Sequence, residues 1–225
     1  MAEVKQPVPN RRQSDHVVDR AKDFWTRYSR PILIACGAII LLGGGWLAYK
    51  YLVKLPKEEK ASDALWRAQQ LFEQDSLRQA IVAAEKVASQ YDGTAAGNLA
   101  DYYAGVAALK SGDNNKAVKH LKDFSTESKL VQARAYKLLA DAYANLGKNA
   151  DALSNYKKAA EEYEEDIQGS SEYLYYAAFF ADKVVNDKKQ ATELYRELLK
   201  KYPRSQYSQD AEKYLGQLGV YKSED

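Results

Sequence analysis

Nineteen consecutive residues, Pro31 to Tyr49 (PILIACGAIILLGGGWLAY), carry no charge and are closed off by Arg30 and Lys50. As a helix rising 1.5 Å per residue this run spans about 28 Å, close to the ~30 Å hydrocarbon thickness of a bilayer. A buried helix of a soluble domain shows a polar stripe, and this run has none, so it predicts a transmembrane helix over 31–53. Trp25 and Tyr28 before it, and Trp46, Tyr49 and Tyr51 at its end, stand where interfacial aromatics belong.

Two rival uses of the run are weaker. A cleaved signal peptide has a shorter leader than the preceding 30 residues and a small-residue cleavage site, which is absent. Leu33-Ile34-Ala35-Cys36 has the form of a lipoprotein processing site, but few apolar residues precede Cys36 and the apolar run continues well past it. The run therefore reads as an uncleaved anchor. Upstream stand Lys5, Arg11, Arg12, Arg20, Lys22, Arg27 and Arg30; downstream stand only Lys50, Lys54, Lys57, Lys60 and Arg67. That bias places the N-terminus in the cytoplasm and the bulk of the chain outside it, in the periplasm of a two-membrane cell.

Around the anchor, residues 1–13, with Pro7 and Pro9, predict a disordered tail. Residues 14–30 place Val17, Val18, Ala21, Phe24, Trp25 and Tyr28 on one helical face, a cytoplasmic amphipathic segment that either lies on the inner leaflet or continues the span. Within the span Gly37, Gly44 and Ala48 share one side, a packing face for another membrane helix. Residues 54–60 read as a linker.

Composition removes most chemistry. The net charge of +2, from 33 basic and 31 acidic side chains, lacks the footprint of a nucleic-acid binder. The single Cys36 and the two histidines, His16 and His120, offer no metal-ligand spacing, and no phosphate-loop, serine-elbow or zinc-protease motif occurs. The acidic run Glu161, Glu162, Glu164, Glu165 and Asp166 reads as a solvated helix end, and His120 as an outward-facing residue of a second helix. No catalytic residue, metal or cofactor is expected.

Downstream of Pro56 the pattern is helical and it repeats. Gly105 and Gly112 recur as Ala140 and Gly147, and Ala117 with Leu121 as Ala152 with Tyr156, each 35 residues later. The small residues suit a close crossing of two helices, with Gly105 and Ala140 opposite Ala117 and Ala152. Weaker copies run through Ala68, Leu71, Ala80 and Val87, with Asp75 for the turn glycine, and through Tyr175, Ala178, Ala191, Tyr195 and Leu198. In this last copy Asn186 takes the glycine's place and Phe179 that of the small residue. Ser208 to Leu218 reads as a terminal helix covering the last unit. A helix-turn-helix unit of this period resembles the tetratricopeptide repeat. The expectation is thus an all-α chain: one transmembrane helix, then over 61–222 a tetratricopeptide-like α-solenoid of about four hairpins plus a capping helix.

In such a stack the first helix of each hairpin lines the concave side. The alignment places there Leu65, Gln69 and Phe72, then Tyr102, Val106 and Leu109, then Arg134, Lys137 and Asp141, then Tyr173, Tyr176 and Phe180. Two aromatic or apolar zones flanking a charged middle suit a bound polypeptide. Repeats that clamp a terminal carboxylate use a set of Lys and Asn; Arg134 and Lys137 are the one basic pair in place, and Asp141 stands where an asparagine belongs, which disfavours that mode.

The order of parts, with EKASDALWRAQQLFEQ opening the repeats and YDGTAAGNLADYYAGVAALKSGDNNKAVKHL following, resembles the YfgM-like family of ancillary Sec translocon subunits. The resemblance implies an inner-membrane protein with periplasmic repeats, working beside the translocon and a membrane-anchored prolyl-isomerase-like chaperone, with no catalytic residues. Its partners would be the translocon, that chaperone or client polypeptides, with self-association open. An envelope-assembly or cell-division coordinator of the same architecture is the alternative reading.

Overall fold

The computed structural model describes residues 11–220, and the side chains of 18–220. Helices account for every regular element among them. They fall into two units, one up to Pro56 and one from Lys57 onward. The expected tail lies outside the described residues as far as position 10.

The first unit is one long helix, α1 (Arg11–Tyr49), followed by a π-turn at Lys50–Lys54. The amphipathic segment and the apolar run are a single helix with Pro31 inside it. Phe24 and Tyr28 meet one turn apart, ring centres 4.9 Å apart. The apolar window of this helix has no protein cover. A Cβ placed on Gly37 or Gly44 would meet nothing within 4 Å, and Ala48 is exposed.

The second unit is built from hairpins. Their helices are α2 (Leu55–Glu73) with α3 (Leu77–Gln90), α4 (Ala95–Ser111) with α5 (Asn114–Asp123), α6 (Lys129–Asn145) with α7 (Asn149–Glu162), and α8 (Ile167–Phe180) with α9 (Lys188–Lys201). A last helix, α10 (Ser208–Gln217), packs on α9 through Ala211 and Leu215. Four hairpins and a capping helix are the expected architecture. The expected linker is helical, however, and its Lys57 and Glu58 bond to the second hairpin. Lys57 Nζ donates to the Asp92 carbonyl at 2.7 Å, and the Glu58 carboxylate accepts from the Ala95 and Ala96 amides at 2.9 and 2.8 Å. A carboxylate over the first turn of α4 answers two of its orphan donors and its dipole. The repeat unit thus begins at Lys57, ahead of the expected boundary.

Each hairpin turns on one residue in the left-handed region: Asp75 (φ 57°), Gly112 (φ 85°), Gly147 (φ 70°) and Asn186 (φ 60°). The amide after it closes back onto the helix, from Ser76 to Leu71, Asp113 to Ala108 and Lys148 to Tyr143, all at 2.9 Å. This is the Schellman closure, for which glycine is cheapest and Asn or Asp next. In the fourth hairpin the same bond runs from Asp187 to Ala181, one residue farther back, and Ala181–Val185 is a π-turn. Counting back from the turns places buried Ala68, Gly105, Ala140 and Ala178 at equivalent positions, with the surplus residue of the last hairpin taken up by its π-turn. The small residue there is Ala178, and Phe179 packs beside it on Tyr175 and Tyr214.

At the crossing, a Cβ at Gly105 would lie 2.6 Å from Leu121 Cγ and 3.2 Å from the Leu121 amide nitrogen, so Gly105 is held hard against Leu121. Between successive hairpins, Ala100 and Ala104 of α4 pack in one core cluster with Ala84 and Val87 of α3. The equivalent α2 positions hold Asp63 and Arg67, both exposed, which gives the stack a polar leading edge.

His120 also departs from expectation: it is 4% exposed, on α5. Its Nδ1 lies 2.8 Å from Asp101 Oδ1 of α4 and its Nε2 3.2 Å from Glu85 Oε1 of α3, which Lys116 approaches at 3.0 Å. A carboxylate oxygen at each nitrogen favours the protonated ring, which in that form donates from α5 to both α4 and α3. The Asp101 hydrogen bond foremost raises its pKa above the ordinary 6.5, against the opposing pull of burial. For Glu85 burial acts upward, yet Lys116 and His120 together bring its carboxyl below 4.5.

Two outcomes are expected. Gly105→Ala should destabilise the chain by about 1–3 kcal/mol in urea unfolding, although alanine is the better helix former by ~1 kcal/mol, because the methyl collides with Leu121. The His120 contribution is full below its unfolded pKa and is lost as pH rises through its raised folded value; Glu85's is present above 4.5 and lost as pH falls. The urea midpoint of the native chain should therefore drop as pH rises above about 6.5 and through the raised His120 value, relative to His120→Gln, whose midpoint stays flatter over that interval.

Candidate protein interaction surface

The first-helix face is assembled by α2, α4, α6 and α8. Of its twelve expected residues, Leu65 (4% exposed) and Phe180 (7%) are core. Leu65 joins Ala61, Ala68 and Ala104, and Phe180 lies against the Tyr156 ring at 5.5 Å. Neither reaches a partner. Gln69, Phe72, Tyr102, Val106, Leu109, Lys137, Asp141, Tyr173 and Tyr176 are half-buried, and Arg134 is exposed. Phe72, Tyr102, Leu109, Tyr173 and Tyr176 each rest partly on the core.

These side chains hold one another in two linked groups. On the α2–α4 side, Phe72 meets Tyr103 edge-on at 5.9 Å, Lys110 Nζ stands 4.8 Å over the Phe72 ring, and Tyr102 tilts against Phe124 at 5.1 Å. On the α6–α8 side, Lys137 Nζ lies 2.8 Å from Asp141 Oδ2 and 5.2 Å over the Tyr176 ring. The Tyr156 hydroxyl, rising from α7, donates to Asp141 Oδ1 at 2.7 Å, and the Tyr176 hydroxyl donates to Glu172 Oε1 at 2.9 Å. Burial foremost, then Glu172, pushes the Tyr176 phenol up to about 12, and burial with Asp141 pushes Tyr156 higher still. Both stay neutral donors across the physiological range. Arg134 joins the groups: Tyr102 and Tyr173 are both raised by burial first, while Arg134 beside each of them acts the other way.

Sequence reading did not include Tyr103, Lys110 and Glu172 on this face. Lys110 and Glu172 answer aromatic residues it did name, so a search for cation–π and hydroxyl–carboxylate pairs one turn away would have found Glu172 beside Tyr176. The arrangement offers flat aromatic faces, fixed hydroxyls and charges at surface depth, the equipment of a surface that binds polypeptide. Among the described residues no group of three or more His, Cys, Asp or Glu is placed to hold a metal ion.

Tyr156→Phe deletes the donor to Asp141 while keeping the ring. The expected cost is about 1 kcal/mol, measured by chemical denaturation, with helical content unchanged.

Comparison with known proteins agrees with this architecture. A family model described as a tetratricopeptide repeat-like domain matches residues 22–141, more than half of the chain, and a tetratricopeptide repeat model matches 172–205. No curated protein matches. The solved structure of the MamA RS-1 ArsTM double mutant superposes with a TM-score of 0.53 over 86% of this chain and 98% of its own, at 20% identity, a likeness of fold. The first family match starts ahead of the apolar run and ends inside α6, taking in the first two hairpins, and the second falls on the fourth. The chain belongs to the tetratricopeptide repeat-like domain family.

Proposed function

We propose that this chain is a non-enzymatic scaffold, anchored by residues 31–53 in the inner membrane with its N-terminus in the cytoplasm and its repeats in the periplasm. It works beside the Sec translocon and membrane-anchored chaperones and grips their segments, or client polypeptide, on the first-helix face. The observation that carries the reading is the row of half-buried Phe72, Tyr102, Tyr173 and Tyr176, each seated on the core and still partly exposed. Aromatic anchors held rigid by their neighbours lose little entropy when a partner lands on them. A membrane anchor adds effective concentration against other membrane proteins, so individually weak contacts suffice. The uncovered Gly37, Gly44 and Ala48 supply a second place of contact, where a translocon helix approaches closely.

A photo-crosslinking residue at Tyr102 or Tyr176, read by mass spectrometry in cells, tests this. Translocon or chaperone peptides are expected from both positions and not from exposed Lys119 on α5, and Gly44→Ile with Ala48→Ile should deplete the translocon peptides. Division or outer-membrane assembly proteins in their place, equal yields from Lys119, or a C-terminal fusion reporter active in the cytoplasm would overturn the proposal.

A further inference from the structure

Each hairpin after the first meets its predecessor through a leading face. In the second hairpin that face includes Ala100 and Ala104 of α4, which pack with Ala84 and Val87 of α3. It also includes Lys116 and His120 of α5, which hold the Glu85 carboxylate of α3 at 3.0 and 3.2 Å. A helix is thus received on small residues, and its carboxylate is answered from beside them. Counted from the turns at Asp75 and Gly112, the same face of the first hairpin holds Asp63 and Arg67 on α2 and Gln79 and Ala83 on α3. There the two helices line a groove of about 910 Å³. Its floor is half-buried Ala64, Leu71 and Ala83, with Val82 65% exposed beside them. Its rim carries Arg67, Arg78 and Lys86, all exposed. Among the described residues none of these three cations has an ion-pair or aromatic partner. Asp63 is the one carboxylate lining the groove, and it pairs with none of them. The other end of the stack is closed by α10 through Ala211 and Leu215, so it offers a second copy no bare hairpin to lay here.

We infer that the α2–α3 groove docks a helix of a partner protein, one whose apolar stripe is flanked by Asp or Glu. This surface is separate from the first-helix face and does not depend on it. The fit is the one that α3 makes on the second hairpin: a floor of short side chains lets a helix come close, and the charges beside it fix which helix is accepted. Three cations against a single carboxylate leave the rim electropositive, which favours an acidic flank and rejects a basic one. Arg67 and Arg78 add planar forks that match a carboxylate in two parallel hydrogen bonds.

The test uses the full chain in nanodiscs of zwitterionic lipid and a stapled, fluorescent helix as long as α3, 14 residues. Its apolar stripe copies the spacing of Ala80, Ala84 and Val87, and its flanks are all Glu, all Gln or all Lys. By fluorescence anisotropy at low salt the native chain should bind the Glu form about tenfold more tightly than the Gln form and the Lys form least, the gap narrowing as salt is added. Arg78→Gln with Lys86→Gln should shrink that gap, and Arg78→Glu with Lys86→Glu should turn the order round in favour of the Lys form. Lys119→Glu with Lys122→Glu, exposed on α5, should leave the native order in place. Equal binding of the three forms, an order that survives the Arg78 and Lys86 substitutions, or no binding of the Glu form would overturn the inference. Two further outcomes overturn it by giving the groove another occupant. One is self-association of the native chain, seen by light scattering and lost in the charge-reversed variant. The other is capture of native but not charge-reversed discs by phosphatidylglycerol vesicles while the Glu helix goes unbound. Arg78 and Lys86 are exposed, circular dichroism checks the helical content of each variant, and a reversed order of Glu and Lys forms is not something loss of fold produces.

Discussion

Close approach of two helix backbones is the condition on which this repeat stack depends. It is met at Ala68, Gly105, Ala140 and Ala178, one per hairpin, where a larger side chain would hold the helices apart. At Gly105 even a methyl group has no room beside Leu121. Once the crossing is tight, larger residues such as Leu121, Tyr143 and Tyr156 fill the flanks, and each hairpin offers its neighbour a surface of nearly uniform depth. A hairpin with this pattern buries too little by itself, so the crossing residues act through the array.

Polar contacts then tie hairpins together at points that apolar packing leaves loose. Glu58 and Lys57 reach from the start of the first hairpin to the loop and helix end of the second, and His120 bridges Glu85 and Asp101 on two other helices. Tyr156 and Asp141 make the same kind of tie within the third hairpin. These ties run between different helices, some within a hairpin and some from one hairpin to the next. Breaking one partner leaves the other wanting, so they discriminate against sliding of one hairpin along the next.

How much of this could be read from the chain depended on the range of the interaction. The hairpins, their turns and the capping helix were legible because small residues and left-handed turn residues recur at a fixed spacing and each acts within its own helix pair. The clasp by Glu58 and the burial of His120 were not, since each is decided by a residue on another helix. Leu65 and Tyr102 stand at the same distance before their crossing residues, yet Leu65 is core and Tyr102 only half-buried. Leucine has no polar tip to keep at the surface, and a face drawn from spacing alone treats the two alike. Phe180 was misplaced for a related reason: the fourth hairpin carries one residue more than its predecessors, which shifts the register from which a face is counted.

That surplus residue has a wider meaning. Carried as ordinary α-helix it would swing everything beyond it by about 100°, turning α9 and α10 away from the surfaces they cover. Widening a single turn at Ala181–Val185 absorbs the extra length on the spot, and Asn186 still reverses the chain where the others do. An array built this way can accept an insertion in one member without passing the error down the line, and its hairpins are free to vary in length where a strictly periodic coil is not.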